Sequence, residues 1–214
     1  APELEDLRLL ASSAAKVKDD ATYITTMEKL VAHHPSDDYW VDLLSRMQRK
    51  PTWNDRFRLD VLRLKDMAVK PMDPLEYTEM AELALQAGFP TEAKKAMDEG
   101  FAAGVLSNAS HKKLRDQATK QAADDAKNIS KGEASAAKSK DGTGLVNLGW
   151  AYVTMDQHDK GIGFIEQGIT KGGLKKVDEA KVKLGIAHAK AGHKAEAIKV
   201  FESLKGNDGL TDLS

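Results

Sequence analysis

Two histidine pairs, a short glycine loop and a few paired carboxylates are the residues here whose types could support chemistry. His33 and His34 are adjacent, which suits a surface loop better than a metal site. His188 and His193 lie five apart across a predicted helix turn. A metal pair on one helix prefers a spacing of three or four, and no carboxylate–histidine array accompanies them. His111 and His158 sit among Lys, Asp and Gln and read as solvated. Asp141-Gly-Thr-Gly144 resembles a phosphate loop in outline but lacks the Gly-Lys-Ser/Thr ending and the preceding strand. It reads as a turn and N-cap before a helix at Leu145. Asp19-Asp20, Asp37-Asp38 and Asp124-Asp125 fall mainly at predicted helix ends or on polar faces. Acid–base catalysis needs such groups converging in a pocket that shifts their pKa values. No catalytic residue, metal ligand or cofactor is therefore expected, and the chain is not read as an enzyme.

Composition narrows the class further. The 214 residues suffice for one large or two small domains. Hydrophobic residues make up 41% and aromatics 6%, which favours thin helical layers over a deep core. Ala, Leu, Lys, Glu and Asp are abundant and Pro is scarce, so helix is the expected element. With 32 basic and 33 acidic residues the net charge is -1, without the basic excess of a nucleic-acid binder. The absence of cysteine excludes disulfides and fits an oxidising compartment. No stretch is apolar for the ~20 residues that a membrane span needs, and no signal peptide is visible. A start at Ala1-Pro2-Glu3 and an ending at Gly209-Leu-Thr-Asp-Leu-Ser214, which resembles a helix start, read as a piece of a longer protein.

Apolar periodicity places the elements. Leu4 to Lys18 carries Leu7, Leu10, Ala11, Ala14 and Ala15 on one side, and Asp19-Asp20 caps a second helix running to His33. A second pair starts at Asp37, breaks at Lys50-Pro51-Thr52 and resumes after a cap at Asn54 or Asp55. A third starts at Pro74, turns at Gly88-Phe89-Pro90, is capped by Thr91 and ends at Gly104. Residues 107–140 are expected to form a degenerate pair, one helix from His111 to Ile129 and a short partner from Glu133 to Lys138. Two final pairs occupy 144–170 and 177–206, with the linker Lys171-Gly-Gly-Leu-Lys-Lys176 between them. The first two pairs cover 4–35 and 37–70, and the third 74–104.

A shared spacing underlies these pairs. A small residue is followed seven residues later by glycine and five after that by alanine, as Ala81…Gly88…Ala93 and Gly185…Gly192…Ala197. Ala11, Leu44, Ala81, Gly149 and Gly185 are equivalent, at intervals of 33, 37, 68 and 36 residues. The longest interval is two periods of about 34, the period of the tetratricopeptide hairpin. The run from Leu184 to Phe201, Leu148-Gly149-Trp-Ala-Tyr152, and Met80-Ala81 through Met97 resemble tetratricopeptide repeats. The fold expected is all-α, an α-α solenoid of such hairpins forming a right-handed superhelix over 1–214. Glu28 to Pro35, Leu83 to Lys94, Gly100 to Leu106 and Gly144 to Val153 are also similar to the C-terminal part of an uncharacterised group of exported proteobacterial tetratricopeptide-repeat proteins. That resemblance implies a periplasmic address and further repeats upstream, and carries no established activity.

The resemblance implies a non-enzymatic scaffold that binds a protein or peptide, with the first helix of each pair lining the concave face. Thr78, Glu79, Glu82 and Gln86, then Asn147, Trp150 and Thr154, then Lys183, Ile186 and Ala189 fall on that face. Trp150 leads this set, read either as an exposed aromatic anchor or as packed against the following repeat. Some tetratricopeptide domains clamp a peptide carboxylate with Lys and Asn on successive inner helices. Asn147 and Lys183 resemble that clamp, while Val146, Trp150 and Glu179 depart from it, so such a receptor is not expected. The alternative reading is a structural spacer or self-association module.

Overall fold

The computed structural model describes residues 2–205. Among them are eleven α-helices and no strand, and the fold is all-α, of the helical-repeat solenoid class. The residues expected to start a further helix, 209–214, lie outside the described residues. The chain groups into two compact units, Ala1–Met72 and Asp73–Ser214.

The first unit contains α1 (Leu4–Val17), α2 (Asp20–His33), α3 (Asp37–Met47) and α4 (Arg58–Ala68), with a 3-10 turn at Asp55–Phe57. The helix starts follow local chemistry. Asp19 caps α2 by accepting from the Thr22 amide at 3.0 Å, and Ser36 caps α3 by accepting from the Tyr39 amide at 3.3 Å. Leu7, Ala11 and Ala14 of α1 are buried, as the periodicity predicts. Leu10 and Ala15, expected on the same side, are exposed. They sit on the edges of a stripe made of small residues, too narrow to cover them. The α3–α4 connection is a long loop closed by the cap at Asn54, not a tight turn.

The second unit contains α5 (Pro74–Gln86), α6 (Pro90–Ala102), α7 (Asn108–Lys138), α8 (Thr143–Thr154), α9 (His158–Lys171), α10 (Val177–Lys190) and α11 (Lys194–Glu202). Asp73 and Glu76 form a capping box at α5, with Pro74 as the first helical residue. Helix α6 begins at Pro90 with Phe89 at its cap, so Thr91 lies inside the helix and does not cap it. Three antiparallel hairpins result, α5/α6, α8/α9 and α10/α11, each closed by a three-residue turn.

The small-residue spacing sets how closely each hairpin crosses. Ala81 and Ala93 are fully buried where α5 meets α6. In α8/α9 the same positions are Gly149 and Gly161, and the backbones touch: a Cβ added at Gly149 would lie 2.5 Å from the Gly161 carbonyl oxygen. The turn residue seven after the first small position has positive φ in every hairpin of this kind. It is Lys18 (φ 59°) in α1/α2, Gly88 (83°), Asp156 (62°) and Gly192 (80°).

Residues 107–140 depart from expectation. The predicted short second helix is fused into α7, one continuous helix of 31 residues. Proline is absent from this segment, and Gly132 alone costs only about 1 kcal/mol in a helix otherwise rich in Ala and Lys. At about 1.5 Å per residue α7 is roughly 46 Å long, enough to lie against α6 with one half and α8 with the other.

Candidate functional site

The helix α8 decides the fate of the expected concave face. Trp150 is fully buried and packs backwards, against the hairpin that precedes it in sequence. Its ring meets Phe89 edge-on at 6.5 Å, and its indole N–H donates to the Glu92 carboxylate at 3.3 Å. Trp150 is thus neither an exposed anchor nor packed only forward on the next repeat. Thr154 is buried and turns its hydroxyl onto the Ala151 carbonyl at 2.7 Å. Ile186 is buried as well. Glu82, Gln86 and Asn147 are exposed, while Thr78, Glu79, Lys183 and Ala189 are half-buried. The physical reason is that the first helix of a hairpin, with neighbours on both sides, has little free surface left for large side chains. The fully exposed members of the expected face, Glu82, Gln86 and Asn147, are all polar.

The titratable clusters of the second unit tie helices together. Lys160 donates to Glu133 at 2.8 Å, the Tyr152 hydroxyl donates to the same carboxylate oxygen, and the Lys160 ammonium lies 4.1 Å from the Tyr152 ring centre. These bonds hold Glu133 below the usual carboxylate range, with Lys160 the larger cause and Tyr152 the second. Lys171 adds a bond to the Ala137 carbonyl at 2.5 Å, so both contacts fasten the C-terminal half of α7 to α8/α9. Asp98 is shared by Lys94 and Arg115, joining α6 to the other half of α7. Asp141 accepts from the Thr143 amide at 2.8 Å, which makes the expected turn, while the N-cap of α8 is Gly142 and carries no side-chain cap bond. Asp19 likewise serves α2 as its cap.

The first unit holds a cleft of about 420 Å3 that the sequence did not reveal. Helix α2 supplies Asp20, Ala21, Ile24, Thr25 and Glu28, and the end of α3 with its following loop supplies Arg46, Arg49, Lys50 and Pro51. Ala21, Ile24 and Pro51 give it an apolar floor. Arg46 is fixed in place: it lies 3.7 Å over the Tyr23 ring and pairs with Asp20 at 2.9 Å. Arg49 donates to Ser45 Oγ at 2.7 Å, so a hydroxyl rather than a carboxylate meets its charge. Glu28 is exposed. An apolar floor between a guanidinium and a carboxylate can hold an apolar side chain flanked by charged neighbours. The only sequence trace of this cleft is the surplus of cations, Arg46, Arg49 and Lys50, at the end of α3.

Among the described residues no helix is long and apolar enough to cross a membrane. A family model described as Tetratricopeptide repeat matches residues 179–208, which takes in most of α10 and all of α11. A comparison with curated proteins gave no match.

Proposed function

We propose that this chain is a non-enzymatic scaffold whose tetratricopeptide-like hairpins bind a protein or peptide partner in the bacterial envelope. The observation that carries the reading is the hairpin architecture itself, with a repeat match at 179–208 and the small–turn–small register recurring upstream. Such stacks bury their core between neighbours and spend their polar faces on recognition. The envelope address rests on the lack of cysteine and on the resemblance to exported proteins. Two surfaces serve the partner: the cleft of the first unit, and the polar residues Glu82, Gln86, Asn147 and Lys183.

The test is selection from a random peptide display library on the purified chain. The reading expects enriched peptides that pair an apolar residue with charged neighbours. Arg49→Glu should weaken them at least tenfold if they occupy the cleft, and Glu82→Lys with Asn147→Ala should do so if they occupy the inner helices. Absence of any enriched peptide overturns the reading. Fractionation of the native protein tests the address, and recovery from cytosol would overturn it.

A second reading, self-association, is favoured by one observation. Helix α1 exposes Leu9 at 69%, Leu10 at 43% and Val17 at 75%. Light scattering on the wild type and on Leu9→Glu/Val17→Glu separates the two: a dimer dissolved by the substitution supports self-association, and a monomer in both excludes it.

A further inference from the structure

The turn between α10 and α11 brings together two histidines that their sequence spacing keeps apart. His188 is in the last turn of α10 and is 7% exposed. His193 precedes α11, and its amide donates to the His188 carbonyl at 2.9 Å. Gly192, at φ 80°, reverses the chain between them. The two Nδ1 atoms end 3.5 Å apart, with ring centres 5.7 Å apart.

The other nitrogen of each ring faces a carboxylate. His188 Nε2 lies 4.0 Å from Glu166, and His193 Nε2 lies 3.9 Å from Asp159. Both carboxylates come from α9 and are seven residues apart, which puts them on one helix face.

Two imidazole nitrogens on one tetrahedral zinc, each bonded at about 2.0–2.1 Å, sit about 3.3 Å from each other. Metal-binding imidazoles also turn their second N–H to a carboxylate, which fixes the tautomer and the ring. The histidine pair has the nitrogen spacing before any metal arrives, and a carboxylate stands about 4 Å from each Nε2, one small shift from hydrogen-bond distance. Half of the His193 side chain is exposed, so the remaining coordination positions open to solvent.

We propose that His188 and His193 form a two-histidine site for a divalent transition metal of the zinc, copper or nickel type, with Nδ1 as the ligand atom of each. Glu166 and Asp159 are its orienting carboxylates. No group of three or more metal-ligating side chains occurs among the described residues. Water, or a side chain from a bound partner, completes the coordination. The ring that offers its Nδ1 hydrogen to the other moves that hydrogen to Nε2, facing its carboxylate, when the metal takes Nδ1, and because only neutral imidazole ligates, binding weakens in acid. Imidazole nitrogen suits these three metals and not magnesium or calcium.

The experiment uses the tag-free chain and two readouts. Zinc chloride titration is followed by thermal unfolding, with magnesium as the control. Copper binding is followed by electron paramagnetic resonance, which counts coupled nitrogens. The expected result is a zinc-dependent rise in melting temperature, absent with magnesium, and a copper signal coupled to two imidazole nitrogens. His193→Ala, on an exposed ring, should remove the zinc shift and leave at most one nitrogen at this site. Asp159→Asn with Glu166→Gln should weaken binding about 10–100-fold. His33→Ala with His34→Ala should leave both signals unchanged. A zinc shift absent at 1 mM, or equally large in His193→Ala, would overturn the site and leave the pair as a hydrogen-bonded turn. His193→Gln replaces the alanine variant if that one fails to fold.

Discussion

The indole of Trp150 and the carboxylate of Glu92 are bonded at 3.3 Å although 58 residues separate them, and both are buried. Between them in sequence runs the whole of α7, which packs on α6, and α8 reaches α6 as well through this pair. Glu92 lies in the first turn of α6, where the exposed amides of a helix start favour negative charge. That placement, together with the indole N–H, makes a buried carboxylate tolerable. Trp150→Ala should cost about 3–5 kcal/mol by emptying the contact with Phe89. Trp150→Phe keeps a six-membered ring but loses the pyrrole half and its N–H bond to a buried carboxylate, so it should cost less, about 1–3 kcal/mol. Denaturant unfolding of the two variants checks the order, and equal losses would show that the hydrogen bond outweighs the packing.

Three glycines of the hairpins predict three different outcomes on conversion to alanine. At Gly149 the new Cβ meets the Gly161 carbonyl at 2.5 Å and the Ile165 amide nitrogen at 2.8 Å, atoms that cannot swing away. The loss should be about 3 kcal/mol, the upper end for overpacking. At Gly185 the obstacle is the Phe201 ring at 2.5 Å, a half-buried side chain that can rotate. Its loss should be about 1–2 kcal/mol. Gly163 has nothing within 4 Å and lies inside α9, so alanine there should gain about 1 kcal/mol of helix propensity. Urea midpoints rank the three variants, and a gain at Gly149 would contradict the observed backbone contact.

The sequence carried most of the hairpins because its signals were local. The cap at Asp19, the helix start at Pro74, the breaks at Pro51 and Gly88, and the small positions Ala81, Gly149 and Gly185 each act within a few residues. What it hid depends on contacts across the chain. The polar run 107–140 gave no sign that α7 continues through Gly132, because one glycine is a weak breaker and the bonds that hold that half, from Lys160 and Lys171, come from elsewhere. Trp150 matched an inner-helix position, but its burial depends on Phe89 and Glu92. Spacing rules written for one helix missed the approach of His188 to His193, since a turn separates them.

The recurring positive φ at the hairpin turn gives a paired test. Gly88 and Gly192 adopt it freely, whereas an L-residue pays about 1–2 kcal/mol for it. Lys18, at φ 59°, carries that cost on the surface of the first unit. Lys18→Gly should stabilise the first unit by about 0.5–1 kcal/mol, the strain relieved less the extra unfolded-state entropy of glycine. Gly192→Ala should destabilise α10/α11 by about 1 kcal/mol. Thermal unfolding reads both, and a Lys18→Gly variant less stable than wild type would place that turn outside the left-handed region.

Acid should loosen the grip of α7 on α8/α9 before it touches the glycine crossings. Glu133 is held below its ordinary value of 4.5, first by the bond from Lys160 and then by that from Tyr152. Its contribution is complete above that value and is lost as pH falls through the depressed folded-state value. Lys160 is raised above its ordinary 10.5, chiefly by Glu133. Its contribution is complete below 10.5 and is lost as pH rises through the raised value. The pair is therefore at full strength from about pH 5 to pH 10. Glu133→Gln should be less stable than wild type at pH 7, and the gap should close as both are taken toward pH 2. Melting curves across that range decide the point: a gap independent of pH would mean that the Glu133 charge contributes nothing, and that shape alone seats the end of α7.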